Sequence, residues 1–203
     1  MARPHKKGRS PGLADQGPRR DLLVAAYELI AQKGLEGLRT RDIVARAGLN
    51  ISTLHYHFGT KEALLAAVVL FVADKFAGEG VELAATSPEA TLRGHFERTR
   101  ATFRRNPELA IVLQELALRA QRDAATRKAF RPILKFWNLS VEESVRAEVR
   151  AGTLPPGADA QELALVITSF IMGAMTQHGV NPSSLDFDAL SRRLHQLIAS
   201  ARR

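Results

Sequence analysis

Between Thr40 and Lys61 the chain sets ten residues whose side chains suit contact with a nucleic acid. They are Thr40, Arg41, Asn50, Ile51, Ser52, Thr53, His55, Tyr56, His57 and Lys61. Hydroxyl, amide and imidazole groups bond base edges or phosphate oxygens, and an isoleucine suits a thymine methyl. Lysine and arginine add full positive charge against a phosphate. The same residues, differently held, make an ordinary polar helix surface. What decides between the two is the frame that positions them.

That frame is legible in TRDIVARAGLNISTLHYHFGTKEALL, residues 40–65. Ile43, Val44 and Ala47 share one helix face at spacings of three and four. Gly48 follows where a helix would end on a left-handed residue, and Asn50 is placed to cap the next helix. Leu49 and Leu54 have the spacing of a hydrophobic staple, and Leu54 and Phe58 face inward one turn apart. Two short helices joined by a glycine turn form a helix-turn-helix, whose second helix enters the DNA major groove. Thr60 caps a fourth helix with Lys61 in its first turn, where free N–H groups and the dipole favour an anion.

Around this stretch, RRDLLVAAYELIAQK from Arg19 to Gly34 predicts a first helix with Leu22, Leu23, Ala26, Leu29 and Ile30 buried and Tyr27 beside them. Residues 1–18, rich in Pro, Gly and basic groups, read as a disordered basic arm. Such an arm either follows phosphates into a minor groove or is idle. The net charge of +8 is concentrated near the helix-turn-helix. Through Lys61 there are eleven Lys/Arg against five Asp/Glu, leaving eighteen against sixteen of the 29 and 21 for the rest. A localised basic surface attracts polyanions, duplex DNA foremost.

From Ser87 onward the sequence reads as a helical bundle. Ser87-Pro88 and Asn106-Pro107 are helix starts, and Leu92, Phe96, Thr99 and Phe103 lie on one side of the first of these helices. A long helix spans roughly 124–151, with Pro132 either kinking it or marking its true beginning, and Gly152 ending it. The segment Leu163–Met175 is apolar nearly all round, and the last helix, 186–201, carries Leu190, Leu194, Leu197 and Ile198. Surplus apolar faces on two helices suggest a four-helix interface between two copies, formed by Ile167, Ile171, Ala174, Leu190, Leu194 and Leu197. A monomer that absorbs these faces in its own core is the other reading.

Cysteine is absent, which excludes disulfides and thiolate metal sites. The longest unbroken apolar run, 63–73, is too short to cross a bilayer, and no secretory signal is visible, so a soluble cytoplasmic protein is expected. No glycine-rich phosphate loop, HExxH or nucleophile elbow occurs. His95, His178 and His195 fall on separate predicted helices and read as structural, and Ser183-Ser184 as turn chemistry. No enzyme, cofactor or metal is expected.

The motifs RRDLLVAAYELIAQKGLEGL, RDIVARAGL (41–49), LHYHF (54–58) and TKEALL (60–65), in this order, resemble the DNA-binding head of the TetR family of bacterial transcriptional regulators. This chain has Asn50 where the family commonly has serine or threonine, Ser52 where it often has glycine, and His55 where a tyrosine usually meets a phosphate. The resemblance implies an all-α protein with a helix-turn-helix head joined to a C-terminal bundle that pairs through its last two helices. It divides the chain into arm (1–18), DNA-binding domain (19–65) and ligand-binding and dimerisation domain (66–203). The function implied is a homodimeric repressor on a palindromic operator in the bacterial nucleoid, released by an unknown small-molecule effector. Phe103, Trp137, Phe170 and Met172 are candidates for the effector pocket. The competing function is a constitutive or architectural DNA-binding dimer with no ligand switch.

Overall fold

The computed structural model describes residues 17–78, 91–181, 183 and 186–200, and among these it is helical throughout, with no strand. Four helices carry the head: α1 (Pro18–Lys33), α2 (Thr40–Ala47), α3 (Ile51–His57) and α4 (Lys61–Gly78). Five make the body: α5 (Leu92–Arg105), α6 (Pro107–Arg122), α7 (Ala124–Arg150), α8 (Ala160–Val180) and α9 (Phe187–Ser200). The basic arm through residue 16 and the Ser87-Pro88 start lie outside the described residues.

The head closes around the expected stripe of α1, with Leu22, Leu23, Ala26, Leu29 and Ile30 all buried, and Tyr27 buried with them. Ile43 and Val44 of α2 and Leu54 and Phe58 at α3 complete this small core. α4 then packs on α1 on one side and on α6 and α7 on the other, which accounts for its apolar circumference. Seven of its residues from Leu64 to Val72 are buried, while Leu70 faces solvent.

In the body, α6 begins at Asn106-Pro107 as read in the sequence. Thr91 caps α5, its Oγ1 accepting from the Gly94 N–H at 3.1 Å. Glu148, 56 residues away on α7, adds a second acceptor there: its buried Oε1 takes the Leu92 N–H at 3.0 Å. The other carboxylate oxygen has no hydrogen-bond partner among the described residues and lies 3.6 Å from His195 Nε2 on α9. α7 is formed from Ala124, capped by Asp123, whose Oδ1 accepts from the Thr126 N–H, so Pro132 lies inside the helix and does not begin it. Gly152 ends the turn after it at φ +72°, as expected of a glycine there.

α8 corrects two expectations. At 21 residues it is long and apolar enough, by length and composition, to cross a membrane, although only a third of the window that qualifies is buried in the protein. A helix apolar on both faces needs no lipid to explain it, because one face already fills the core against α7. That inward face is Ala164, Ile167, Ile171, Ala174 and Met175. Ile167 and Ile171 are wholly buried and Ala174 nearly so, and they cannot meet a second copy. The open face carries Leu165 and Val166, 50% and 53% exposed, and Gly173, around which there is free space.

His95 is buried in the body, its Nε2 accepting from Trp137 Nε1 at 3.4 Å. Burial, helped by the nearby Arg98 guanidinium, lowers its pKa from 6.5 to about 4. Between those values the unfolded chain holds a proton that the folded chain lacks. Stability is therefore present above pH 6.5 and lost as pH falls towards 4, by roughly 3 kcal/mol. In urea melts at pH 7 and pH 4.5, His95→Gln is expected to flatten the acid loss relative to wild type. An equal loss in both proteins would remove His95 as its source. Of the other histidines read as structural, His178 is exposed on α8 and so takes no part in the core, and His195 is half-buried.

Candidate nucleic-acid interface

The helix-turn-helix forms by the local chemistry of its residues. Gly48 takes φ +65°, ψ 28°, a left-handed conformation cheap only for glycine, and the chain reverses there with the Leu49 N–H bonded to Val44 O at 2.9 Å. Asn50 Oδ1 accepts from the Thr53 N–H at 2.8 Å and from the Thr53 hydroxyl at 3.0 Å. Leu49 is half-buried above buried Leu54, the two ends of the staple. Phe58 closes α3, its N–H bonded to Leu54 O at 2.8 Å. Thr60 Oγ1 then caps α4 by accepting from the Ala63 N–H at 3.1 Å, leaving Lys61 exposed in the first turn.

This frame sorts the ten candidate residues. Ile51, Ser52, His55 and Tyr56 are exposed along α3, Tyr56 to 86%, with Arg41 on α2 and Lys61 on α4 also exposed. Thr40 is half-buried at the start of α2. Asn50 and Thr53 are engaged with each other in the cap, which reduces what they can offer a ligand. His57 is half-buried, its ring edge-on to Tyr56 with centroids 5.0 Å apart.

The structure also divides the head's basic residues by task, which composition could not. Arg46 Nε bonds Glu28 at 2.7 Å and its Nη1 bonds Gln32 at 2.9 Å, while Lys33 bonds Asp42 at 2.8 Å, so both tie α1 to α2. Arg19 lies over the Phe58 ring, 5.3 Å from its centroid. Arg39, exposed at the start of α2, joins Arg41 and Lys61 on the open surface and was missed in the sequence; its place just before the second helix was the available signal.

The four candidate effector residues lie in or against the core of the body. Trp137 is buried core bonded to His95, and Phe103, Phe170 and Met172 are half-buried against that core. Three clefts are lined by other residues, from Leu35 to Thr126, from Glu142 to Gln161, and between α5 and α9. One cleft, of about 490 Å³, runs between α5 and α9 along Arg93, Phe96, Arg100, Asp188, Arg192 and His195. Arg100 pairs with Asp188 across it.

A glycine-turned helix pair with an outward second helix, mounted through α4 on an all-helical body, defines a helix-turn-helix transcriptional regulator. The comparisons specify the family. Residues 22–68 match the family model of bacterial regulatory proteins of the tetR family, and residues 88–203 that of the C-terminal domain of BetI-type transcriptional repressors. The chain belongs to the TetR family. It is 32% identical over 105 residues to the HTH-type transcriptional dual regulator CecR of Shigella flexneri, covering 52% of this chain and 41% of that one. It is 33% identical over 57 residues to the HTH-type transcriptional regulator PksA of Bacillus subtilis, covering 28% of each. The chain thus aligns with less than half the length of these curated relatives. Among solved structures, a TetR transcription regulator from Haloarcula marismortui superposes with TM-score 0.76 at 22% identity, covering 91% of this chain and 97% of that one. A Saccharomonospora viridis protein solved in complex with choline gives TM-score 0.73 at 23% identity, covering 89% and 94%.

Proposed function

We propose that the chain is a homodimeric repressor that binds a palindromic operator and is released by a small-molecule effector. In this reading residues 19–65 read DNA, and residues 66–203 bind the effector and pair the two copies. The observation that carries it is the open face of α3, where Ser52, His55 and Tyr56 stand exposed between Arg41 and Lys61 on adjoining helices. Ser52, His55 and Ile51 address base edges; Tyr56, Arg41 and Lys61 address phosphates, with Thr40, Asn50, Thr53 and His57 supporting them. Selection from a random duplex pool tests this. A recovered inverted repeat supports it, and recovery of no sequence at low salt overturns it.

Lys61→Ala is expected to weaken binding to every duplex about three- to tenfold and to flatten the salt dependence by about one unit per head. Anisotropy titrations at several salt concentrations measure both. An unchanged slope would take Lys61 out of the phosphate contact.

Two copies joined by the open face of α8, with Leu197 of α9, would hold two α3 helices at one half-site spacing. Leu190 and Leu194 of α9 are half-buried and complete the proposed surface. The effector would occupy the cleft between α5 and α9, whose volume is that of a small-molecule site and whose floor includes buried Phe96. The choline complex of the Saccharomonospora viridis protein makes quaternary ammonium compounds the first to screen. The BetI-type match of the body supports repression as the direction of control. An effector must bind the two states with different affinity to release DNA. A thermal-shift screen followed by DNA titration separates this from a constitutive dimer, which no ligand would both stabilise and release.

A further inference from the structure

We infer that Glu115, on α6 of the body, is the positioning residue that fixes the angle at which the head presents α3; this rests on the DNA-reading function proposed above. Its Oε2 accepts the backbone N–H of Leu35 at 2.9 Å, across 80 residues of sequence. Leu35 is buried just past the end of α1, beyond the reach of that helix's own carbonyl ladder. The contact is close on both sides. Gly34, at φ +69°, lies against the carboxylate, and a Cβ there would come within 3.3 Å of Oε2.

A carboxylate accepting a backbone N–H makes one of the stronger hydrogen bonds available to a protein. From Leu35 the link runs directly into the reading elements. Ile43, Val44, Leu54 and Phe58 anchor α2 and α3 on α1 in one core, with Lys33–Asp42 and Arg46–Glu28 at its surface. One turn further along α6, Arg119 lies 3.8 Å from Glu36 in the same loop. Exposed ion pairs contribute little stiffness, so of these two polar links between the loop and α6 the part-buried Glu115 bond is the firmer. The crevice beside it is lined by Leu35 and Lys61 of the head and by Arg119 and Thr126 of the body. α6 also packs on α1 and α4, and to that packing Glu115 adds the directional bond that sets the orientation of the loop after α1.

The role predicts a specific defect. A head that swings still reads one half-site, but it loses affinity when two heads must fit a fixed spacing at once. With a duplex recovered by the wild-type chain, Glu115→Ala is expected to lose about tenfold on the two-half-site duplex and less than twofold on a single half-site. Glu115→Gln, which keeps an acceptor oxygen, is expected to recover most of the loss, and Glu115→Asp, which keeps the charge but retracts it, is not. Equal losses on both duplexes, or no loss on either, overturn the role. Amide exchange is the second readout, and it decides the matter even if the wild-type chain recovers no duplex, a result that would overturn the DNA-reading proposal alone. In Glu115→Ala, or in Glu115→Asp should the alanine variant not fold, the Leu35 amide is expected to exchange about tenfold faster with the body unchanged. An unchanged Leu35 rate overturns the inference.

Discussion

Val166→Glu is expected to break the proposed pairing of two copies into single chains and to lower DNA affinity at least a hundredfold, with little change in the fold of each chain. Val166 is 53% exposed on α8, beside Leu165 at 50%, with Leu197 of α9 at 54%. A substitution so exposed usually changes the stability of one chain by less than about 0.5 kcal/mol. At a two-fold interface the effect doubles, because each copy brings the same carboxylate to the same patch. Burying two like charges without partners costs several kcal/mol, and each ~1.4 kcal/mol weakens association tenfold. DNA affinity follows, since the second head's contact is no longer intramolecular. Light scattering with thermal melting distinguishes the outcomes. Single chains with an unchanged melt support the α8 interface; a variant that still forms a stable pair removes it. Neighbouring Ile167 serves as the contrast, because it is wholly buried and a change there reports on folding, not on pairing.

That contrast shows where the sequence stops being readable. The head was legible because its signals are local: Gly48 for the turn, Asn50 and Thr60 for caps, Leu49 with Leu54 for the staple, each acting over a few residues. α8 gave no such purchase. A helix that is apolar all round has no phase in its sequence, and the stripe of Ile167, Ile171 and Ala174 is real but inward. Nothing within the segment says which stripe the chain itself buries. Long-range partners were invisible for a related reason. Glu148 capping α5 and Glu115 holding Leu35 join residues 56 and 80 apart, and an acidic residue on an amphipathic helix looks like surface until the partner is known. The candidate DNA surface falls between these cases. Its outward residues followed from helix phase, whereas the commitment of Arg46 and Lys33 to Glu28 and Asp42 needed the packed head.

Phe58→Ala is expected to abolish sequence-selective DNA binding while leaving the body folded and its proposed pairing intact. Phe58 is buried at the end of α3, stacked beneath Arg19 and one turn from buried Leu54. Truncating a buried phenylalanine costs about 3–5 kcal/mol. The head has little to set against this: α3 has seven residues, too few to persist without its packing, and α2 has eight. α1 and α4 are held from the other side by α6 and α7, so their loss is not required. Amide exchange is therefore expected to accelerate most from Thr40 to Phe58 and least in α7 and α8, with selective binding lost more than a hundredfold. Phe58→Leu, which keeps most of the buried volume, should retain much of both. If the alanine variant instead loses head and body in one transition, the two are a single cooperative unit. The division at residue 65 then fails, and α4, packed against both, is the physical reason it would.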